Sequence, residues 1–179
     1  MITYIALLRG INVSGHNIIK MADLKTLLTK AGLQNVVTYI QSGNIVFNSD
    51  ETSIEVLEQL ISKRIEENYG YQIKVLVIDR LYLEHIFNEL PFDNLKDLDF
   101  KKLGVTFLKD NPSSEGIKKI EVLKKEDESL IFNNKIAYLY CPNGFGRTKL
   151  SNNNFEIKLK TSATSRNWRT IIKLLDLSS

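Results

Sequence analysis

Residue types that a hydrophobic core does not need are concentrated at four places in this chain: Arg9-Gly10-Ile11-Asn12, Gln41-Ser42-Gly43-Asn44, Gly144-Phe145-Gly146-Arg147-Thr148-Lys149 and Thr164-Ser165-Arg166-Asn167-Trp168. Their chemistry is that of anion recognition. Arginine offers a planar fork of donors suited to carboxylate and phosphate, and amides and glycine backbones supply further N–H groups. Arg9, Asn12, Gln41, Ser42, Asn44, Gly144, Gly146, Arg147, Lys149, Arg166 and Asn167 are the residues expected to contact an anionic ligand. The alternative for the first pair of motifs is a plain hairpin with a salt bridge, since Asn, Ser and Gly occupy turns without any function.

The glycine stretch resembles a phosphate cradle in which Gly144 and Gly146 let backbone N–H groups point inward ahead of a helix start near Thr148. It lacks the spacing of a nucleotide-triphosphatase loop, and Lys149 stands where a dinucleotide fingerprint needs glycine. In the last motif, Arg166 and Arg169 fall three apart in the expected first turn of a final helix, where the macrodipole disfavours cations. A carboxylate or an anionic ligand must offset them. Trp168 between them is expected in the core, with stacking on a base as the lesser alternative.

Catalytic options are few. Cys141 precedes Pro142 at a strand end with no histidine in local reach, which reads as an inert thiol. Ser14 and Ser42 lie in loops but not in a nucleophile elbow, and His16 reads as a solvent-exposed loop residue. No catalytic residue is assigned. Neither His16 nor His85 has a ligand-spaced partner, so no metal site is expected, and no cofactor is indicated.

These motifs must be positioned by a chain of 179 residues, long enough to bury a proper core without staples. Its 43% hydrophobic and 25% charged composition is ordinary for a globular protein, and no apolar run approaches a membrane span. A start without a basic stretch or cleavage site, together with a single cysteine, leads to the expectation of a cytoplasmic location. The net charge of +3 is unevenly spread, with seven basic residues against Glu156 alone between residues 144 and 173. That segment favours phosphate or nucleic-acid partners, or is a solvated lysine-rich face.

Tyr4 to Leu8 is an unbroken apolar strand delivering Arg9. A helix from about Met21 to Ala31 follows, then a hairpin of Val36 to Ile40 and Ile45 to Phe47 around Gly43. A helix opened by a Thr52/Glu55 capping box comes next, then a strand from Ile73 to Ile78. The order β-α-β-β-α-β over residues 2 to 78 is the ferredoxin-like split arrangement, with strand one central. A helix over 79–90 ends before Pro91, and 91–100 reads as a linker.

The pattern then repeats: a strand from Leu103 to Leu108, a short helix around Ile117 and Ile120, and a hairpin around Asn133-Asn134. After the helix near Thr148, residues 155–159 are ambiguous, and a last helix runs from about Ser165 to Leu177. The predicted fold is α+β, two ferredoxin-like halves whose antiparallel sheets carry packed helices. The expected divisions are 1–79, a helix and linker over 80–101, and 102–179.

The run R-G-I-N-V at Arg9, Y-I-Q-S-G-N ending at Asn44, G-R-T-K-L ending at Leu150 and T-S-R-N-W ending at Trp168 together resemble a bacterial family of uncharacterised proteins known only as a domain of unknown function. The resemblance spans nearly the whole chain and implies a two-part ferredoxin-like structure with no established activity. The sequence departs from the family pattern at Ser14, at His16 and at Cys141, which argues against His16 and Cys141 as obligatory catalysts. The leading functional expectation is binding of a phosphate-bearing small molecule or nucleic-acid segment between the halves. An enzyme acting on a small anionic substrate, and a structural or self-assembling protein without a ligand, are the alternatives. Oligomeric state is left open.

Overall fold

The computed structural model describes residues 1–92 and 99–179. Of the expected linker, residues 93–98 lie outside the described residues. The chain divides into two units, Met1–Ile86 with Lys173–Ser179, and Phe87–Ile172.

The first unit contains β1 (Ile2–Leu8), α1 (Met21–Lys30), β2 (Gln34–Tyr39), β3 (Asn44–Ser49), α2 (Ile54–Tyr69), β4 (Val75–Asp79) and α3 (Arg80–Asn88), whose last two residues fall in the second unit. Its antiparallel sheet has the order β2-β3-β1-β4, the ferredoxin-like arrangement with the first strand inside. Tyr4, Ala6 and Leu8 point to one face and pack with Ile45, Phe47, Leu24, Leu28, Leu57, Ile61 and Ile65. On the other face Ile5, Leu7, Val46 and Ile78 are buried as well. Burial on both faces explains why β1 is continuously apolar where a half-exposed strand would alternate.

Local signals set the helix ends. Ser53, not Thr52, caps α2: its hydroxyl accepts from the Val56 N–H at 3.3 Å, and the chain stops in a left-handed Gly70. Both Thr52 and Ser53 satisfy the sequence pattern of a cap, and only the backbone decides between them. Asp79 closes β4 and caps α3 by accepting from the Tyr82 N–H at 2.7 Å.

The second unit repeats the order with β5 (Leu103–Leu108), α4 (Ser114–Glu121), β6 (Ser129–Asn133), β7 (Ile136–Tyr140), α5 (Asn152–Leu159), β8 (Ala163–Asn167) and the start of α6 (Trp168–Leu177), whose residues from Lys173 on fall in the first unit. Its antiparallel sheet is ordered β6-β7-β5-β8, the same arrangement again. Helix α5 lays Phe155 and Leu159 against Leu108, Leu139, Leu150 and Ala163.

Two expectations about this unit are corrected. No helix begins at Thr148; residues Phe145–Arg147 form one 3₁₀ turn, and α5 starts at Asn152 under a Ser151 cap. Residues 155–159, ambiguous from sequence, belong to that helix. The final helix does not start at Ser165, because residues 163–167 form β8 along the edge of β5, with Ser165 opposite Thr106 and Arg166 opposite Val105. The helix begins only where Asn167 Oδ1 accepts from the Thr170 N–H at 2.8 Å. Arg166 is therefore a strand residue, and only Arg169 lies in the first turn of α6.

Among the described residues, no helix is long and apolar enough to cross a membrane, and no group of acidic, histidine and cysteine side chains has the makings of a metal site.

Candidate functional site

The polar end of the second unit encloses a cleft of about 340 Å³, lined by Phe145, Leu150, Ser151, Asn152, Ser165, Arg166 and Asn167. That volume is at the lower end of the roughly 300–1,000 Å³ typical of small-molecule sites. Strand alternation separates its wall residues. Ser165 and Asn167 share a face of β8 with Gly104 and Thr106 of β5, whereas Arg166, opposite Val105, turns its side chain to the other face. There Arg166 is buried and donates from Nη1 to the Ser165 carbonyl at 2.9 Å.

Gly104 makes the cleft possible. A Cβ at this position would stand 2.7 Å from Phe145 Cζ and 3.1 Å from the Arg166 carbonyl oxygen, so only glycine lets the ring tip reach the sheet. The loop carrying that ring is held from outside. Lys125 Nζ donates to the Arg147 carbonyl at 2.6 Å, Asn143 donates to the Asp127 carboxylate, and Asn154 Nδ2 donates to the Lys149 carbonyl at 2.7 Å.

The hydrogen bonds inside the cleft run in one direction. Ser165 Oγ donates to Asn152 Oδ1 at 2.7 Å and is therefore left to accept from Thr106 Oγ1, also at 2.7 Å. Asn167 Oδ1 accepts from both the N–H and the hydroxyl of Thr170. Ser151 Oγ accepts from the Asn154 N–H. Each of these three oxygens thus accepts a bond from the protein, while the NH₂ groups of Asn152 and Asn167 and the Ser151 O–H have no partner among the described residues. The wall therefore offers a ligand several unused donors.

The starts of α5 and α6 meet this wall, and neither has an acidic residue in its first turn, in contrast to α1, α2 and α4 with Asp23, Glu55 and Glu115. The positive helix ends are not neutralised from within. Cations stand around them. Arg147 and Lys149 are exposed in the Phe145 loop, Lys102 Nζ lies 3.8 Å from where a Cβ of Gly144 would be, and Arg169 is exposed two residues beyond Asn167. None of the four makes an ion pair with a described residue, whereas Arg64, Arg80, Lys119 and Lys173 all do.

Of the residues singled out from the sequence, Asn167 lines this cleft with its side chain, and Gly144, Gly146, Arg147 and Lys149 belong to the loop at its mouth. Asn152, Ser151, Ser165, Phe145 and Gly104 were not expected as site residues. An Asn-rich helix start and a glycine inside the apolar run LGVTFL are the signals that pointed to them.

Arg9, Asn12, Gln41, Ser42 and Asn44 come together in the first unit. Asn12, at φ +53°, accepts from the Ile19 N–H at 2.9 Å and donates to the carbonyls of Ile19 at 3.0 Å and Gln41 at 2.9 Å. Asn44 is fully buried and donates to the Tyr39 carbonyl and to Ser42 Oγ. Gly43, at φ +78°, sits so close to Leu8 and Ile11 that a Cβ would approach both within 2.7 Å. Both amides are turned onto the chain's own backbone, which ties the loop after β1 to the β2–β3 turn. Gln41 remains exposed and Arg9 half-buried, with the Arg9 N–H donating to the Lys74 carbonyl.

Cys141 is buried, and burial, reinforced by the charge of Glu128, pushes its thiol up to about 11. It stays protonated at neutral pH and is no nucleophile. Trp168 is buried and stacks on Phe87 at 5.4 Å between ring centres.

A family model described as a protein of unknown function (DUF1697) matches residues 1–138. The chain belongs to this family. The chain is also similar to a solved structure, that of the conserved bacterial protein SP0830 from Streptococcus pneumoniae, 25% identical, with a TM-score of 0.79 over 99% of both chains. A search of curated proteins finds no match.

Proposed function

We propose that this protein binds a phosphate-bearing small molecule in the cleft of its second unit. The observation that carries this is the free donors of the wall, where Asn152, Asn167 and Ser151 each keep an N–H or O–H that no described residue takes up. A ligand that fits must bring acceptors. Cations that pair with no described carboxylate, and two helix starts without acidic residues, favour an anion over a neutral carbonyl compound.

Binding is favoured over catalysis because, among the described residues, the Ser165 hydroxyl of the cleft wall is bonded to Thr106 and Asn152 alone. Neither takes up a proton near neutral pH, so nothing activates it. A cytoplasmic setting, with its supply of phosphorylated metabolites, agrees with the single buried thiol.

Thermal denaturation of the full chain with nucleotides, sugar phosphates, inorganic phosphate, polyphosphate and short oligonucleotides tests this. A ligand at 100 times its dissociation constant adds about 2.7 kcal/mol of stability. The expected outcome is stabilisation by at least one small phosphate compound and its loss in Asn152→Asp. No stabilisation by any of them contradicts the proposal.

A further inference from the structure

Resting on the phosphate-binding reading, we infer that the ligand is a nucleoside phosphate whose base lies against Phe145. The cleft is two-sided. Its donors and helix starts come from Ser151, Asn152 and Asn167, while the half-buried Phe145, backed by the buried Leu150, forms an apolar wall. An inorganic phosphate or a bare sugar phosphate leaves that wall against water, whereas a ligand with a planar apolar body at one end and an anion at the other satisfies both.

The aromatic wall is held in place by other parts of the fold. Gly104 gives up a side chain inside a strand, at a cost relative to alanine, and thereby lets the tip of the Phe145 ring reach the sheet. With its tip inserted and its loop fixed by Lys125 and Asn143, the half-buried ring is fixed in orientation. A rigid aromatic face pays little conformational entropy when a base stacks on it. The small volume admits one nucleotide unit, either free or at the end of a strand.

Calorimetric titration of the full chain with AMP, CMP, ribose 5-phosphate and a 5′-phosphorylated dinucleotide tests the inference. The mononucleotides are expected to bind at least about tenfold more tightly than ribose 5-phosphate, as base stacking on an aromatic side chain commonly gives. Phe145→Leu is expected to remove that advantage of AMP over ribose 5-phosphate, and Phe145→Tyr to restore it. A dinucleotide equal to AMP identifies a strand end, and a weaker one identifies the free nucleotide. Equal affinity for AMP and ribose 5-phosphate, or an AMP affinity indifferent to Phe145→Leu, overturns the base-stacking assignment and leaves phosphate binding standing. Failure of every probe to bind overturns both.

Discussion

Ser165 Oγ stands 2.7 Å from Asn152 Oδ1, and that bond decides which end of the Asn152 amide is free. With its proton given to Asn152, Ser165 accepts from Thr106 Oγ1 at 2.7 Å, so the three side chains form one chain of bonds from β5 to α5. A buried threonine, fully enclosed in the sheet, thus anchors the inner end of the cleft's hydrogen-bond chain.

Asn152→Asp separates binding from stability. The new carboxylate still accepts from Ser165 and adds a negative charge to the first turn of α5, which is worth about 0.3–1 kcal/mol in the folding direction. Phosphate-ligand affinity is expected to fall at least about tenfold, since a donor is replaced by a like charge. Urea denaturation and calorimetry on the same variant read the two effects, with opposite signs.

Gly104→Ala places a methyl group within 2.7 Å of Phe145 Cζ and 3.1 Å of the Arg166 carbonyl. Overpacking of this kind costs about 1–3 kcal/mol. Adding Phe145→Leu is expected to recover part of the loss, because the ring and not the backbone is the nearer obstacle. Chemical denaturation of the single and double variants measures the recovery.

Asn12→Ala removes an acceptor and two donors that tie the loop after β1 to Ile19 and Gln41, and it leaves alanine at a positive φ. A loss of about 2–3 kcal/mol is expected from the unmade bonds and the strain. Unchanged stability on urea denaturation contradicts the tying role.

Cys141 gives a pH signature. Its thiol is raised in the folded state to about 11 by burial, so the folded protein holds this proton more tightly than the unfolded chain does. The associated stability is complete below the unfolded pKa, near 9, and is lost as pH rises through about 11. Cys141→Ala is expected to lessen the fall in stability over that window relative to wild type. Identical slopes in pH-dependent denaturation contradict the assignment.

Much of the fold was legible because its elements carry their own signals. β1 and β5 are unbroken apolar runs, and α1 and α2 repeat leucine and isoleucine at helical spacing. Gly43 and Gly70 mark turns that need a positive φ. β8 was not legible, since Ala163 to Asn167 are mostly polar and become a strand only by pairing with β5. Mistaking it for helix placed Arg166 beside Arg169, when alternation sends its side chain to the sheet face opposite Ser165 and Asn167. The cleft was hidden because Gly104, Phe145, Asn152 and Ser165 come from four different elements that only the fold brings together. The polar motifs marked its neighbourhood, but the direction of each hydrogen bond required the register.

The most direct measurement is an NMR titration of the isotopically labelled full chain with AMP, following the side-chain NH₂ resonances of Asn152 and Asn167. The account predicts saturable shifts of both, accompanied by the backbone amides of Ser151, Asn152 and Ser165. Titration without change at these groups, or with changes confined to Gln41 through Asn44, contradicts it.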